Sequence, residues 1–139
     1  MNNVVLPESP RPLSLRLGFQ EYTNIRRRRV RMETKQDLIQ YCLTYKDVYE
    51  DYPFRDHEWA VIRHRKNKKV FAWIYRRNDE VCINLKCAPE WIEFWRNAFT
   101  AVRPGYHLNK KYWNTVVLDG TVPDKDIKRM IGESYDLTK

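Results

Sequence analysis

Glycine is scarce in this chain, with four among 139 residues. No glycine-rich loop of the kind that cradles phosphates can be built from so few, which argues against the common nucleotide-binding folds. Cysteine is also scarce: three residues, an odd number, do not make a disulfide framework and indicate a reducing, cytoplasmic setting. The longest apolar run, Val70 to Tyr75, has six residues, against the roughly 18–20 that a membrane-spanning helix needs. Zinc ligands usually come in pairs two to four residues apart, and no such pair occurs. Cys82 and Cys87 fall at opposite parities of one strand, and His57, His64 and His107 are scattered. We therefore expect no metal site, no cofactor and, with no nucleophile–base pair to place, no enzyme. Small buried thiols are the ordinary role for these cysteines.

Aromatic residues and basic charge are present in quantity. Five Trp and nine Tyr, within 42% apolar residues, can fill the core of one domain. The 26 Lys and Arg exceed the 18 Asp and Glu, for a net +8 that points to an acidic partner such as nucleic acid. That charge is unevenly spread. Residues 1–31 hold three prolines (Pro7, Pro10, Pro12) and seven arginines against Glu8 and Glu21, a net of +5. Residues 32–139 hold 19 basic and 16 acidic groups, a net of +3. The leader shows no helical or strand period, and Arg16 interrupts the apolar stretch Leu13 to Phe19, unlike a signal peptide. Arg26 to Arg29 and Arg31 can be read as a phosphate-gripping arm. They also lie just ahead of Met32, where an AGG-AGG ribosome-binding sequence read in frame would encode arginines. We expect Met32 to be the natural start and residues 32–139 to form a single domain.

From Met32 the pattern is that of a folded domain. Thr34 followed by Asp37 opens a helix, with Leu38, Ile39, Cys42 and Leu43 on its apolar stripe. Three strand-like runs follow a loop at Tyr52-Pro53-Phe54: 59–65, 70–76 and 81–87, separated by Lys66-Asn67-Lys68-Lys69 and Arg77-Asn78-Asp79-Glu80. Pro89 starts an amphipathic helix through Phe99, a strand lies near Thr115 to Leu118, and a last helix begins near Pro123. The order α-βββ-α-β-α describes an α+β domain on a largely antiparallel sheet.

Two segments are candidates for binding. Between Trp59 and Asn78 there is no acidic residue, while Arg63, Arg65, Lys66, Lys68, Lys69, Arg76 and Arg77 all occur. If Asn67-Lys68 and Asn78-Asp79 are two-residue turns, Ile62, His64, Phe71, Trp73, Tyr75, Asn84 and Lys86 share one sheet face and Val61, Ala72, Ile74, Ile83 and Leu85 the other. An aromatic-basic face can stack bases and hold phosphates. On pattern alone the favoured alternative is that helices cover the aromatics and leave only a solvated basic tip. The second segment, Pro104 to Thr115, carries His107, Asn109, Lys110, Lys111, Tyr112, Trp113 and Asn114. Its lysines suit phosphates and its amides suit base edges, or its rings seal the end of the core.

The Tyr52-Pro53-Phe54, Asn84-Leu85-Lys86-Cys87, Pro104–Gly120 and Ser134-Tyr135-Asp136-Leu137 segments resemble the MmcQ/YjbR family of small bacterial proteins, from about Met32 to Leu137. The resemblance implies a CyaY-like fold, also likened to a double-wing DNA-binding domain, and a DNA-binding role. The family's Cys-Asp-Pro at the start of the middle helix reads Cys87-Ala88-Pro89 here, without the capping aspartate. Residues 1–31 have no counterpart in it. The expected site for DNA comprises Lys86, His107, Asn109, Lys110, Lys111, Trp113 and Asn114, flanked by Arg63, Arg65, Lys68 and Lys69. The alternatives are a protein-interaction or small-ligand module with a pocket near Trp113, and an iron-binding role, for which Glu33 and Asp37 offer too few clustered oxygens.

Overall fold

The computed structural model describes residues 31–139, so the leader expected at 1–31 lies outside the described residues apart from Arg31. Helix α1 (Lys35–Cys42) opens as its spacing predicts. Thr34 Oγ1 accepts from Asp37 N, and Asp37 Oδ2 accepts from Thr34 N, both at 3.0 Å. The six strands are β1 (Val48–Asp51), β2 (Ala60–His64), β3 (Val70–Arg77), β4 (Glu80–Lys86), β5 (Val102–Pro104) and β6 (Trp113–Val117). They form one antiparallel sheet in the order β1-β2-β3-β4-β6-β5. Helix α2 (Pro89–Ala98) separates β4 from β5, and α3 (Asp124–Thr138) ends the chain.

The α+β class agrees with the sequence reading, with two strands added. β1 and β5 have four and three residues, too few to show an alternating pattern, and each lies at an edge of the sheet. Ala88 is the N-cap of α2 and makes no side-chain cap bond, while Pro89 sits in the first turn.

Register is where the sequence reading needs correction. Asn78 and Asp79 form a two-residue turn with both residues left-handed (φ 53° and 65°), matching the twist of β3 and β4. The other turn is longer. His64 N donates to Lys69 O at 2.9 Å, and Lys68 takes the left-handed position that closes a four-residue loop. Ile62 pairs with Ala72 but Arg63 pairs with Val70, so Phe71 is an extra residue bulged out of β3. Val61 therefore shares a face with Trp73 and Asn84, and Ile62 shares the opposite face with Ala72 and Ile74. Phe71, displaced by the bulge, packs against the rings of Tyr45 and Tyr135 on the side covered by helices. The single aromatic-basic face expected from Ile62 to Lys86 is thus split between the two sides of the sheet.

The gap at the bulge is closed by α3. Ser134 Oγ accepts from Lys86 N at 2.9 Å and donates to Phe71 O at 2.6 Å, joining β3 to β4 where the ladder is interrupted. Thr138 Oγ1 lies 2.8 Å from His64 Nε2, and Asn67 Nδ2 donates to Thr138 O at 3.0 Å, so the end of α3 is tied to β2 and its loop. Ile62, Ile74, Ile83 and Leu85 belong to one buried cluster with Leu38, Ile127 and Ile131 of the helices. Burial of each such side chain contributes about 1.5–3 kcal/mol.

Candidate functional site

Among the described residues, no helix packs on the other side of the sheet. Two loops fold over it instead, residues 52–59 and 105–112. Asn84, at 0% exposure in β4, organises the contact of the second loop with the strands. Its Oδ1 accepts from Tyr75 OH (2.8 Å) and Thr115 Oγ1 (2.6 Å), and its Nδ2 donates to Tyr106 O (2.9 Å). Tyr106 N in turn donates to Thr115 Oγ1 at 2.9 Å. Burial raises the Tyr75 phenol to about 12, so it remains a donor to Asn84 at neutral pH. The Trp59 ring stacks on Tyr75 at 3.9 Å, with Tyr106 nearly parallel to it at 6.2 Å, and the Arg77 guanidinium lies 4.1 Å from the centre of the Tyr106 ring. Gly105 is required at the start of the second loop, because a Cβ there would lie 2.7 Å from Trp113 Cβ.

Between the two loops lies a cleft of about 500 Å³ lined by Phe54, Asp56, Trp59, Trp73, Tyr106, His107 and Leu108. Trp73 Nε1 is buried without a hydrogen-bond partner, the one such side-chain nitrogen or oxygen among the described residues. His57 and His107, one in each loop, hold left-handed backbone (φ 56° and 62°), a region in which His, like Asn and Asp, is enriched among residues other than Gly. The sequence reading placed a pocket near Trp113, where a cleft of about 400 Å³ is lined by Lys86, Cys87 and Tyr112; the cleft at Trp59 and Trp73 was not foreseen. Trp59 precedes β2 and Tyr106 lies in a distant loop, so neither periodicity nor spacing signalled that they meet.

The residues expected to contact DNA separate into three groups. The first lies at one end of the sheet. Antiparallel pairing puts the β2–β3 loop, the last residue of β4 and the segment entering β6 side by side, and Cys87 N donates to Tyr112 O at 2.8 Å. Arg65, Lys68, Lys69, Lys86 and Lys111, joined by Lys66, which was not among the expected contacts, therefore form one row, with Lys86 half-buried and the others exposed. None of the six makes an ion pair among the described residues. The second group is His107 alone, at the rim of the cleft.

The third group is engaged within the fold. Arg63 Nε pairs with Asp51 Oδ2 at 2.8 Å, and its Nη1 donates to Lys68 O at 2.9 Å. Lys110 Nζ donates to Gly105 O at 3.0 Å, and Asn109 Oδ1 accepts from Lys111 N at 2.9 Å, both within the second loop. Asn114 is corrected as a base-reading residue. It is buried on the helix side, where its Oδ1 accepts from Arg96 Nε at 2.7 Å. Trp113 is half-buried across from Lys86, packed on Gly105. Arg96, which the sequence reading passed over, also donates to Lys110 O and Trp113 O and so fixes the loop to α2.

All three cysteines are free and buried. Burial pushes their thiols up, Cys87 to about 12, so none is a thiolate at neutral pH. Among the described residues, no three His, Cys, Asp or Glu side chains converge as metal ligands, and no helix is long and apolar enough to cross a membrane.

Comparison with known proteins agrees with the resemblance read from the sequence. The family described as YjbR matches residues 43–137. The uncharacterised protein YjbR of Escherichia coli K12 is 31% identical over 102 residues, covering 73% of this chain and 84% of that one. The uncharacterised protein YyaQ of Bacillus subtilis 168 is 32% identical over 119 residues, covering 78% of this chain and all of its own. A crystal structure from Deinococcus radiodurans superposes with a TM-score of 0.69 at 37% identity, over 76% of this chain and 78% of the other. One from Pseudomonas syringae gives 0.69 at 31%, over 76% and 99%. With its sequence, its antiparallel sheet and these neighbours in agreement, the chain belongs to the YjbR family.

Proposed function

We propose that this protein binds DNA through the basic end of its sheet. The observation that carries the reading is the row of six cations that make no ion pair among the described residues, in a domain whose own net charge is only +3. Exposed lysines in a balanced domain usually face carboxylates. Here Asp47 meets Arg65 through its backbone carbonyl at 2.8 Å, and Glu90, which lines a pocket together with Lys86, makes no ion pair with it. At about 4.8 Å per strand, the row from β2 to β6 spans about 14 Å, long enough to meet several phosphates of a duplex. With Asn114 buried and Asn109 and Lys110 engaged in the loop, these contacts position the protein on the backbone without reading base edges. The binding is therefore largely independent of sequence.

Fluorescence anisotropy on duplex DNA across a salt series tests this. Log K should fall linearly with log salt, by about 0.9 for each phosphate neutralised. Charge reversal of Arg65, Lys66, Lys68 and Lys69 together should flatten the slope, which separates the hairpin from the arginines at 26–29. If the full chain shows no salt-sensitive binding, or the reversal leaves the slope unchanged, the reading is wrong.

A further inference from the structure

We infer that the cleft between the two loops is a binding site for a single planar heteroaromatic ring of the nucleobase class. The inference does not depend on the basic end, whose cations do not line the cleft. Three features fix the ligand chemistry. The walls are largely flat rings: Trp59 and Tyr106 are nearly parallel, at 13°, and Trp73 and Phe54 stand almost perpendicular to Trp59, at 84° and 80°. A rigid aromatic wall favours a flat partner over a branched aliphatic one. The buried Trp73 N–H has no acceptor, and such a group is costly unless something completes it. A small turn of the Trp73 side chain, which lines the cleft, would bring this closed-off N–H to a ring nitrogen or exocyclic carbonyl on the ligand. Asp56, on the lip, is an acceptor for a ring amino or imino group; its Oδ1 already takes the Glu58 N–H at 3.0 Å, leaving Oδ2. Acceptor and donor on the edge of one flat ring is the hydrogen-bonding pattern of a nucleobase.

The size and rigidity of the site agree with this. About 500 Å³ is within the range of small-molecule sites and holds one or two fused rings. The Asn84 network and the Arg77–Tyr106 contact hold the second loop in place before any ligand arrives.

A ring of this chemistry can arrive as a free nucleoside or as an unstacked base of a single strand. The test uses the full chain, labelled with ¹⁵N, whose five tryptophans give five indole N–H resonances. Adenosine, guanosine, cytidine and thymidine carry no phosphate and do not exploit the basic row. Each is titrated to millimolar concentration beside a ten-nucleotide single strand. We expect a saturable shift of the Trp73 indole resonance, with those of Trp91 and Trp95 on α2 unmoved. Saturation by a nucleoside identifies a small-molecule site, and saturation by the oligonucleotide alone identifies a base supplied by a strand. Trp73→Phe keeps an aromatic ring and removes the donor, and should weaken binding, followed at the Trp59 indole resonance, about tenfold. Trp91→Phe should leave it unchanged. Circular dichroism confirms that each variant is folded. If neither nucleosides nor the strand shift the Trp73 resonance, the inference fails whatever the duplex salt series shows. A Trp73 response with no duplex binding would overturn the proposed function and leave this site standing.

Discussion

The two faces of the sheet are built on different chemistry. On the helix side, Ile62, Ile74, Ile83 and Leu85 meet α1 and α3, whose backbone polar groups are already paired within each helix. Hydrocarbon is sufficient there. On the loop side, the covering chain has no ladder of its own, so its amides and carbonyls need partners from the sheet. Asn84 and Thr115 provide them, at the cost of two polar side chains in a buried strand interior. The helix side is where burial stabilises the fold. The loop side gives up some of that stability and gains a shaped cleft, as loops positioned on a rigid scaffold commonly do.

The comparison can be tested by weakening one side at a time. The largest effect is expected on the helix side: Ile74→Ala should cost about 3–4 kcal/mol in urea unfolding, from lost burial and the cavity left behind. It should leave the fluorescence of Trp59 and Trp73 nearly as in the parent. Asn84→Ala, on the loop side, should cost about 2–3 kcal/mol, because Tyr75 OH, Thr115 Oγ1 and the Tyr106 carbonyl lose a buried partner together. Unlike Ile74→Ala, it should speed amide exchange across residues 105–109. Equal protection of that loop in both variants would show that the network does not hold it.

Ser134→Ala removes the link across the bulge and should cost about 1–2 kcal/mol, with exchange of the Lys86 amide rising most. The helix side also carries a pH-sensitive group. His64 has its pKa lowered, first by burial and then by nearby Lys139 and Lys69, while a backbone hydrogen bond at Tyr135 opposes the shift. Above the usual histidine value of about 6.5, folded and unfolded His64 are both neutral and pH has no effect through this group. Below it, the unfolded chain takes up the proton first, so stability falls with pH until the lowered folded pKa is reached. His64→Gln should flatten that portion of a melting-temperature profile, and the loop side should be insensitive to it. The smallest effect belongs to α2: Ala88→Asp supplies the missing N-cap and should stabilise by about 1 kcal/mol, read as a raised urea midpoint.

Much of the architecture was legible because it is local. The Thr34–Asp37 cap, the Asn78-Asp79 turn, the uncapped start of α2 and the core strands each follow from residue type at a fixed offset. The candidate site was legible only in part. The acid-free hairpin and Lys86 and Lys111 do gather at one end, since antiparallel pairing brings those positions together. Arg63, Asn109, Lys110 and Asn114 looked equally available, and only their partners at Asp51, in the loop and at Arg96 show otherwise.

The sequence by itself determined the α+β class, the family, the short apolar runs and the concentration of positive charge near Trp59–Asn78. The tertiary structure decided which side each strand residue faces. One extra residue at Phe71 inverts the alternation on either side of it, and no local propensity announces that change. It also decided where the cleft lies, because Trp59, Trp73 and Tyr106 come together through loop packing that depends on the whole sheet being formed.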